Sequence, residues 1–286
     1  MMKRSVILCP NPTKDVGLET SMEAKRLLED AGFAVHFSPE LLDGLPDHWP
    51  DDVPISELED VIDGAALVVS LGGDGTIMHT VRRMMGHEIP IIGVNLGTVG
   101  FLAELDRGEL SMLIPAARGE FIPSPRMMLE VSVERGGKTV YSNYALNDVS
   151  MHGIVQMIRM TARGDGRKIL EFSGDGIVIS SPTGSTAYSL SAGGPIVEPT
   201  AENLILTPIC AHALIARSFV LAPDRVVTVT VTDLRCRAFI SSDGDSFEVL
   251  DGDTLIVRKA KYKTMIAHVG EKAFYDIVYE KLGEAR

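Results

Sequence analysis

The segment Gly72-Gly73-Asp74-Gly75-Thr76 directly follows the apolar run Ala65-Ala66-Leu67-Val68-Val69-Ser70-Leu71. A short apolar run that ends in glycines and is followed by helical spacing from Thr76 to Met85 reads as a buried strand turning tightly into a helix. Glycines at a strand end let the backbone reach φ > 0 and approach a ligand closely. The first N–H groups of the following helix favour a phosphate at that loop. Gly72, Gly73, Gly75 and Thr76 are therefore candidate phosphate-binding positions, and Asp74 is a carboxylate placed for chemistry. The segment is neither a GxxxxGK[ST] P-loop nor a GxGxxG dinucleotide loop. The plainer reading is a tight Asp-Gly turn with Thr76 capping the helix. The two preceding glycines and the buried strand weigh against it.

The same strand–helix alternation continues on both sides. Val6 to Leu8 reads as a strand, Leu18 to Ala31 as a helix stopped by Gly32, Phe33 to Phe37 as a strand, and Ile89 to Val94 as another. Leu42 to Pro54, rich in Pro, Asp and Gly, reads as a loop. Strands alternating with helices imply βαβ units and a parallel sheet. Past Gly119 the character changes to short β-rich runs separated by turns, including Leu129 to Val133, a hairpin turn at Gly136-Gly137, and Val226 to Val231. Two short strands are expected around Asp251-Gly252-Asp253. The expected fold is an N-terminal α/β domain over 1–118 and an all-β domain over 119–271. Glu271 to Gly283 reads as a strand or a helix, and segment 272–286 is expected to pack back on the first domain.

A net charge of −12 over 286 residues excludes a broad nucleic-acid surface, which would be basic. Cys9, Cys210 and Cys236 are few, odd in number and far apart, which argues against a disulfide framework and fits a cytoplasmic protein. The apolar stretch after Lys3-Arg4 is cut short by Pro10 and Pro12, so it reads as a first strand rather than a signal peptide. No apolar run approaches the ~20 residues that span a bilayer, so no membrane association is expected.

A second polar loop, Ser181-Pro182-Thr183-Gly184-Ser185-Thr186-Ala187-Tyr188-Ser189-Leu190-Ser191-Ala192-Gly193-Gly194-Pro195, follows the strand-like Ile177-Val178-Ile179. It offers hydroxyls and N–H groups with almost no charge. That suits ribose hydroxyls, an adenine edge and phosphate oxygens, and Tyr188 suits stacking on a base or sugar. A Ser/Thr-capped helix start is the plainer alternative. Asn147-Asp148 can grip a vicinal diol or form an Asx turn, and Asp175 can recognise an amide or simply turn the chain. His152 and His212 read mainly as packing residues, and Asp243-Gly244-Asp245 as a hairpin turn.

Gly72 to Thr76, Gly93-Val94-Asn95-Leu96-Gly97 with Gly100-Phe101-Leu102, Leu146-Asn147-Asp148, and Asp175-Gly176 leading into Pro182 to Pro195 together resemble the ordered motifs of the NAD kinases. The first motif alone is shared with lipid kinases and, more loosely, phosphofructokinases. The run from Pro182 to Pro195 is far more specific. The resemblance implies phosphorylation of the 2′-hydroxyl of the adenosine ribose of NAD by ATP, or in some members by polyphosphate. It also implies a divalent metal, usually Mg²⁺, and a homodimer or homotetramer. The implied fold is an α/β domain, a β-sandwich-like domain and a returning C-terminal tail, with the active site in the cleft between domains.

By position, the resemblance makes Asp74 the general base and Gly75 a phosphate-side glycine. It assigns Asn147 and Asp148 to the dinucleotide's hydroxyls and base, and Asp175 to the nicotinamide amide or the adenine. Thr186, Ala187, Tyr188, Ser189, Leu190 and Ser191 become the wall of the dinucleotide pocket, Phe101 an apolar pocket residue, and Asp245 a further NAD-binding position. Five positions depart from the family pattern. Asp148 replaces the usual Glu, Ser181 a Thr and Asp245 a Gln. Ser173 and Gln156 stand where basic residues are common. Arg163, Arg167 and Lys168 are the expected substitutes for the missing positive charge. A lipid kinase on the same scaffold and a non-catalytic NAD(P) sensor are the rival readings. The dinucleotide-suited second loop argues against the first, and the retained Asp74 against the second.

Overall fold

The computed structural model describes residues 4–39, 49–50, 53–97, 100–213, 216–232, 234–270 and 273–283. Of the loop expected over Leu42 to Pro54, only 49–50 and 53–54 lie within them. The chain divides into two compact units, one formed by Met1–Pro125 with Thr264–Arg286 and the other by Arg126–Lys263. The expected boundaries stood at 118 and 272. Among the described residues no helix is long and apolar enough to cross a membrane.

In the first unit the order is β1 (Ser5–Pro10), α1 (Glu19–Asp30), β2 (Ala34–Phe37), α2 (Leu58–Val61), β3 (Ala65–Gly72), α3 (Asp74–Arg83), β4 (Ile91–Asn95), β5 (Leu105–Asp106) and α4 (Leu113–Ala117). Strand β1 lies between β2 and β3, β3 pairs with β4, and β4 with β5, all in parallel. Val6, Leu8, Leu67, Val69, Leu71, Ile92 and Val94 face α1 and α4 in one core. The alternate residues Ile7, Val68 and Ile91 are buried on the other face. There Gly93 makes room for Ile77 of α3, whose Cδ1 occupies the space a Cβ would need. Burial on both faces is why these strands read as continuous apolar runs rather than alternating ones.

The second unit contains β6 (Ile122–Arg135, whose first residues belong to the first unit), β7 (Lys138–Ala145), β8 (Asp148–Gly153), β9 (Ile158–Gly164), β10 (Arg167–Gly174), β11 (Gly176–Ser180), the one-turn α5 (Tyr188–Ser191), β12 (Leu204–Ile209), β13 (Phe219–Leu221), β14 (Val227–Thr232), β15 (Ala238–Ser242), β16 (Asp245–Val249) and β17 (Thr254–His268). One antiparallel layer runs β10-β9-β14-β17, with the β6–β7 hairpin joined to β17; the other runs β13-β12-β11-β8-β15-β16. Val227, Val229, Val231, Met160 and Ala162 from the first layer share a core with Val149, Met151, Ile177, Ile179, Leu206 and Ile240 from the second. The Val-Thr alternation of β14 is the sequence trace of one buried and one more open face. Within the first unit, the end of β17 pairs in parallel with β4 through Ile266 and Ile91, and α6 (Phe274–Leu282) follows.

Two expectations change, and an open one is resolved. Helix α3 begins at Asp74, two residues before the expected start, so the carboxylate belongs to the helix itself. Strand β17 runs on to His268, well past the short strand expected to end at Val257. Of the C-terminal segment, for which the sequence allows a strand or a helix, Phe274–Leu282 is helical, with Asp276 Oδ2 accepting the Ala273 N–H at 2.9 Å.

Candidate active site

The chain makes β1, moves to β2 and then returns to place β3 on the other side of β1. Neighbouring loops at the carboxyl ends of β1 and β3 therefore diverge, which is where open parallel sheets bind ligands. Asn11 leaves β1, and its N–H donates to Leu71 O at 2.8 Å. Its Nδ2 donates to Thr76 Oγ1 at 3.2 Å. Thr76 is thus a buried clamp between two loops rather than an open phosphate ligand. A Cβ on Gly72 would collide with that hydroxyl, so glycine is required there. Lys14 arches over the same loop. Its Nζ stands 2.6 Å from where a Cβ on Gly73 would lie and 3.7 Å from one on Gly97. Sequence reading did not single out Lys14, because nothing in its local pattern shows that it returns to the β3–α3 turn.

Asp74 is half-buried on the first residue of α3, where the helix dipole favours an anion. Its Oδ2 accepts the Phe101 N–H at 2.7 Å and its Oδ1 the Leu102 N–H at 3.2 Å. Both oxygens are oriented, and each keeps lone-pair capacity for a further donor. The Gly100 backbone presses against this carboxylate so closely that a Cβ there would overlap Oδ1. Gly75 is exposed beside it. Phe101 is half-buried, and Lys281 of α6 lies over its ring with Nζ 3.9 Å from the centroid.

In the second unit, the structure brings Asn147, Asp148, Asp175 and Tyr188 together. Ser181 N–H donates to Asn147 O at 2.9 Å, and Gly184 N–H to Ser181 Oγ at 3.2 Å. Gly184 packs on the Asn147 backbone, with the Cα of Asn147 2.6 Å from where a Cβ would stand. Tyr188 N–H donates to the Asp148 carboxylate, and Tyr188 also feels the charges of Asp148 and Asp175. Burial, and then the neighbouring Asp243 carboxylate, push the Asp148 acid up to about 7, while the Tyr188 N–H pulls it down. Asp175 is exposed and accepts from the Cys210 thiol, raising that thiol's pKa.

Asp243 is a further residue that no local sequence signal brings to this group. The sequence predicts a hairpin turn at Asp243-Gly244-Asp245, and it is one: Asp243 and Gly244 have φ of 45° and 89°, joining β15 to β16. Its carboxylate also accepts the N–H groups of Leu146 (2.6 Å), Asn147 (3.2 Å) and Asp148 (3.0 Å). An Asp-Gly pair signals the turn but not this long-range role.

The remaining expected residues fall in different surroundings. Thr186, Ala187 and Leu190 are partly open, Ser191 is exposed and Tyr188 is 42 % exposed. Ser189 is fully buried with its hydroxyl 3.3 Å from that of Thr207. Asp245 accepts the Tyr141 hydroxyl at 2.8 Å and Asn143 Nδ2 at 2.9 Å. His212 pairs with Ser173 across a bridge, and His152 Nδ1 is buried without a hydrogen bond. Arg163, Arg167 and Lys168 do not join the group around Asp175. They flank the β9–β10 turn, and Arg167 is separated from Gly174 by the length of β10, roughly 23 Å at ~3.3 Å per residue. Lys168 is also paired with Glu171 at 3.2 Å.

Comparison with known proteins accounts for both halves. Residues 6–117 match the ATP-NAD kinase N-terminal domain and residues 146–269 the ATP-NAD kinase C-terminal domain. The chain belongs to the NAD kinase family. The NAD kinase of Heliobacterium modesticaldum is 42% identical over 240 residues, covering 82% of this chain and 84% of the relative. That of Natranaerobius thermophilus is 34% identical over 284 residues, 98% of each. Among solved structures, an NAD kinase from Archaeoglobus fulgidus in complex with ATP superimposes with a TM-score of 0.72 at 26% identity, covering 95% of this chain and 96% of that one. Yeast NADH kinase complexed with NADH shares the fold, with a TM-score of 0.86 at 24% identity over 99% of this chain and 88% of that one.

Proposed function

We propose that this NAD kinase family member transfers the terminal phosphoryl group of ATP to the 2′-hydroxyl of the adenosine ribose of NAD, yielding NADP and ADP. The observation that carries the reading is the Asp74 carboxylate, held through both oxygens at the switch point of a parallel sheet. In this role Asp74 orients the ribose hydroxyl and accepts its proton as the O2′–P bond forms. The bond from that phosphorus to the β,γ-bridging oxygen breaks, and ADP leaves. A ribose hydroxyl is a poor nucleophile, and a carboxylate within hydrogen-bond reach supplies the general base it lacks. The rest of phosphoryl transfer is positioning and charge neutralisation. Gly73, Gly75 and the first turn of α3, with Lys14 beside them, serve the donor's phosphates.

Asn147 and Asp148 take the dinucleotide's hydroxyls and base in this proposal, Asp175 an amide or adenine edge, and Tyr188 with its neighbours the pocket wall. Among the described residues no three His, Cys, Asp or Glu side chains converge to hold a metal ion. A Mg²⁺ ion would therefore be carried mainly by nucleotide phosphates and water, as that ion commonly is, and no step here is routed through it. Among the described residues Cys9, Cys210 and Cys236 form no disulfide, which suits a reducing cytoplasm, and a homodimer or homotetramer is the proposed assembly. The test is NADP formation from NAD, ATP and Mg²⁺, read by a dehydrogenase that reduces only NADP. Parallel reactions with polyphosphate and with NADH fix the donor and the acceptor's redox form. Retained NAD binding without any NADP would favour a sensor.

A further inference from the structure

The positive charge expected from Arg163, Arg167 and Lys168 is not delivered to the site. A different cation stands over the ring of Phe101, the residue whose N–H holds the reacting carboxylate. Lys281, on the last turn of α6, has an Nζ that is shut off from solvent and makes no hydrogen bond. It lies 3.9 Å from the centroid of the Phe101 ring, and the Phe101 N–H holds Asp74 Oδ2 at 2.7 Å. Asp74 and Glu280 both attract it electrostatically, yet burial outweighs them and lowers its pKa. An ammonium carries three donors. A ring face supplies only part of what it loses on leaving water, and an unpaired buried charge is costly. Such a group persists where a ligand completes it. The ligand chemistry that fits is anionic oxygen arriving next to Asp74, and in phosphoryl transfer that oxygen belongs to the group in flight.

We infer that Lys281 is a catalytic residue that hydrogen-bonds a non-bridging oxygen of the phosphoryl group passing to the ribose, so that the C-terminal helix completes the active site. The inference rests on Asp74 being the base for NAD phosphorylation. Fixed donors aimed at developing charge in a water-poor site commonly supply about 10²–10³ in kcat each. The proton of the 2′-hydroxyl still goes to Asp74, and Lys281 neither gains nor loses one.

The test compares wild type, Lys281→Met and Lys281→Arg. Methionine keeps an apolar stem over Phe101 and removes the charge. Arginine keeps the charge. NADP formation by wild type comes first, and its absence would overturn the assigned reaction and this inference with it. With wild type active, the expected result is a fall in kcat of about 10²-fold or more for Lys281→Met, a substantial recovery for Lys281→Arg, and NAD affinity within about threefold of wild type in both. If Lys281→Met fails to fold, Lys281→Gln takes its place with the same expectation. Near-normal kcat in the uncharged variant would overturn the inference. Equal losses in the charged and uncharged variants, tracking a drop in melting temperature, would overturn it too, since that is the signature of a purely structural lysine.

Discussion

Asp243 Oδ1 accepts the backbone N–H of Asp148 at 3.0 Å, so one carboxylate anchors the strand that carries a second. The arrangement fixes β8 at its first residue, and it places a like charge beside the Asp148 side chain. Burial and that charge raise the Asp148 acid to about 7 from 3.8. Folded Asp148 therefore keeps its proton through a range in which the unfolded chain has released it. Stability is expected to fall as pH rises from about 4 to about 7, and Asp148→Asn should flatten this slope in melting curves taken across that range. If the ionised form is the better acceptor for ribose hydroxyls, NAD affinity should rise over the same interval in wild type and stay level in the variant.

Removing Asp243 leaves three N–H groups without their charged acceptor. Hydrogen bonds to charged groups contribute about 1.5–3 kcal/mol each but are not additive, so Asp243→Ala is expected to cost about 2–4 kcal/mol in urea unfolding. The midpoint of any NAD-binding pH profile should also move to lower pH, because the like charge is gone.

Gly184 lies against the Asn147 backbone, and its neighbour cannot move as a flexible side chain would. Gly184→Ala should destabilise by about 1–3 kcal/mol, as overpacking does. It should also weaken NAD binding more than ATP binding, which separate titrations would resolve.

Gly100 offers a test of Asp74 without touching that residue. A Cβ at position 100 overlaps the Asp74 carboxylate, so Gly100→Ala must displace it. Misplacement of a reacting group by ~1 Å can cost about 10²-fold. We expect kcat to drop by about that factor, with the melting temperature changing little.

Much of the fold was legible because its physics is local. The parallel strands are buried on both faces and read as unbroken apolar runs, as Val6 to Leu8 and Leu67 to Val69 show. The hairpin at Gly136-Gly137 was marked by its glycines, whose φ values are 57° and 76°. The second half of β17 was not legible, since Arg258, Lys259, Lys261 and Lys263 interrupt any apolar pattern while the backbone still pairs. The place of Asp74 at a strand-to-helix turn was legible from its glycines. Lys14, Asp243 and Lys281 were not, because each reaches its place by a long return of the chain that no local pattern encodes.

The account stands most directly on Asp74. The decisive measurement is the turnover of Asp74→Asn with NAD, ATP and Mg²⁺, taken together with its NAD dissociation constant. Removal of a general base is expected to lower kcat by about 10²–10⁴-fold, with NAD bound within a fewfold of wild type. Near-normal turnover by a variant that still binds NAD would contradict the role assigned to Asp74.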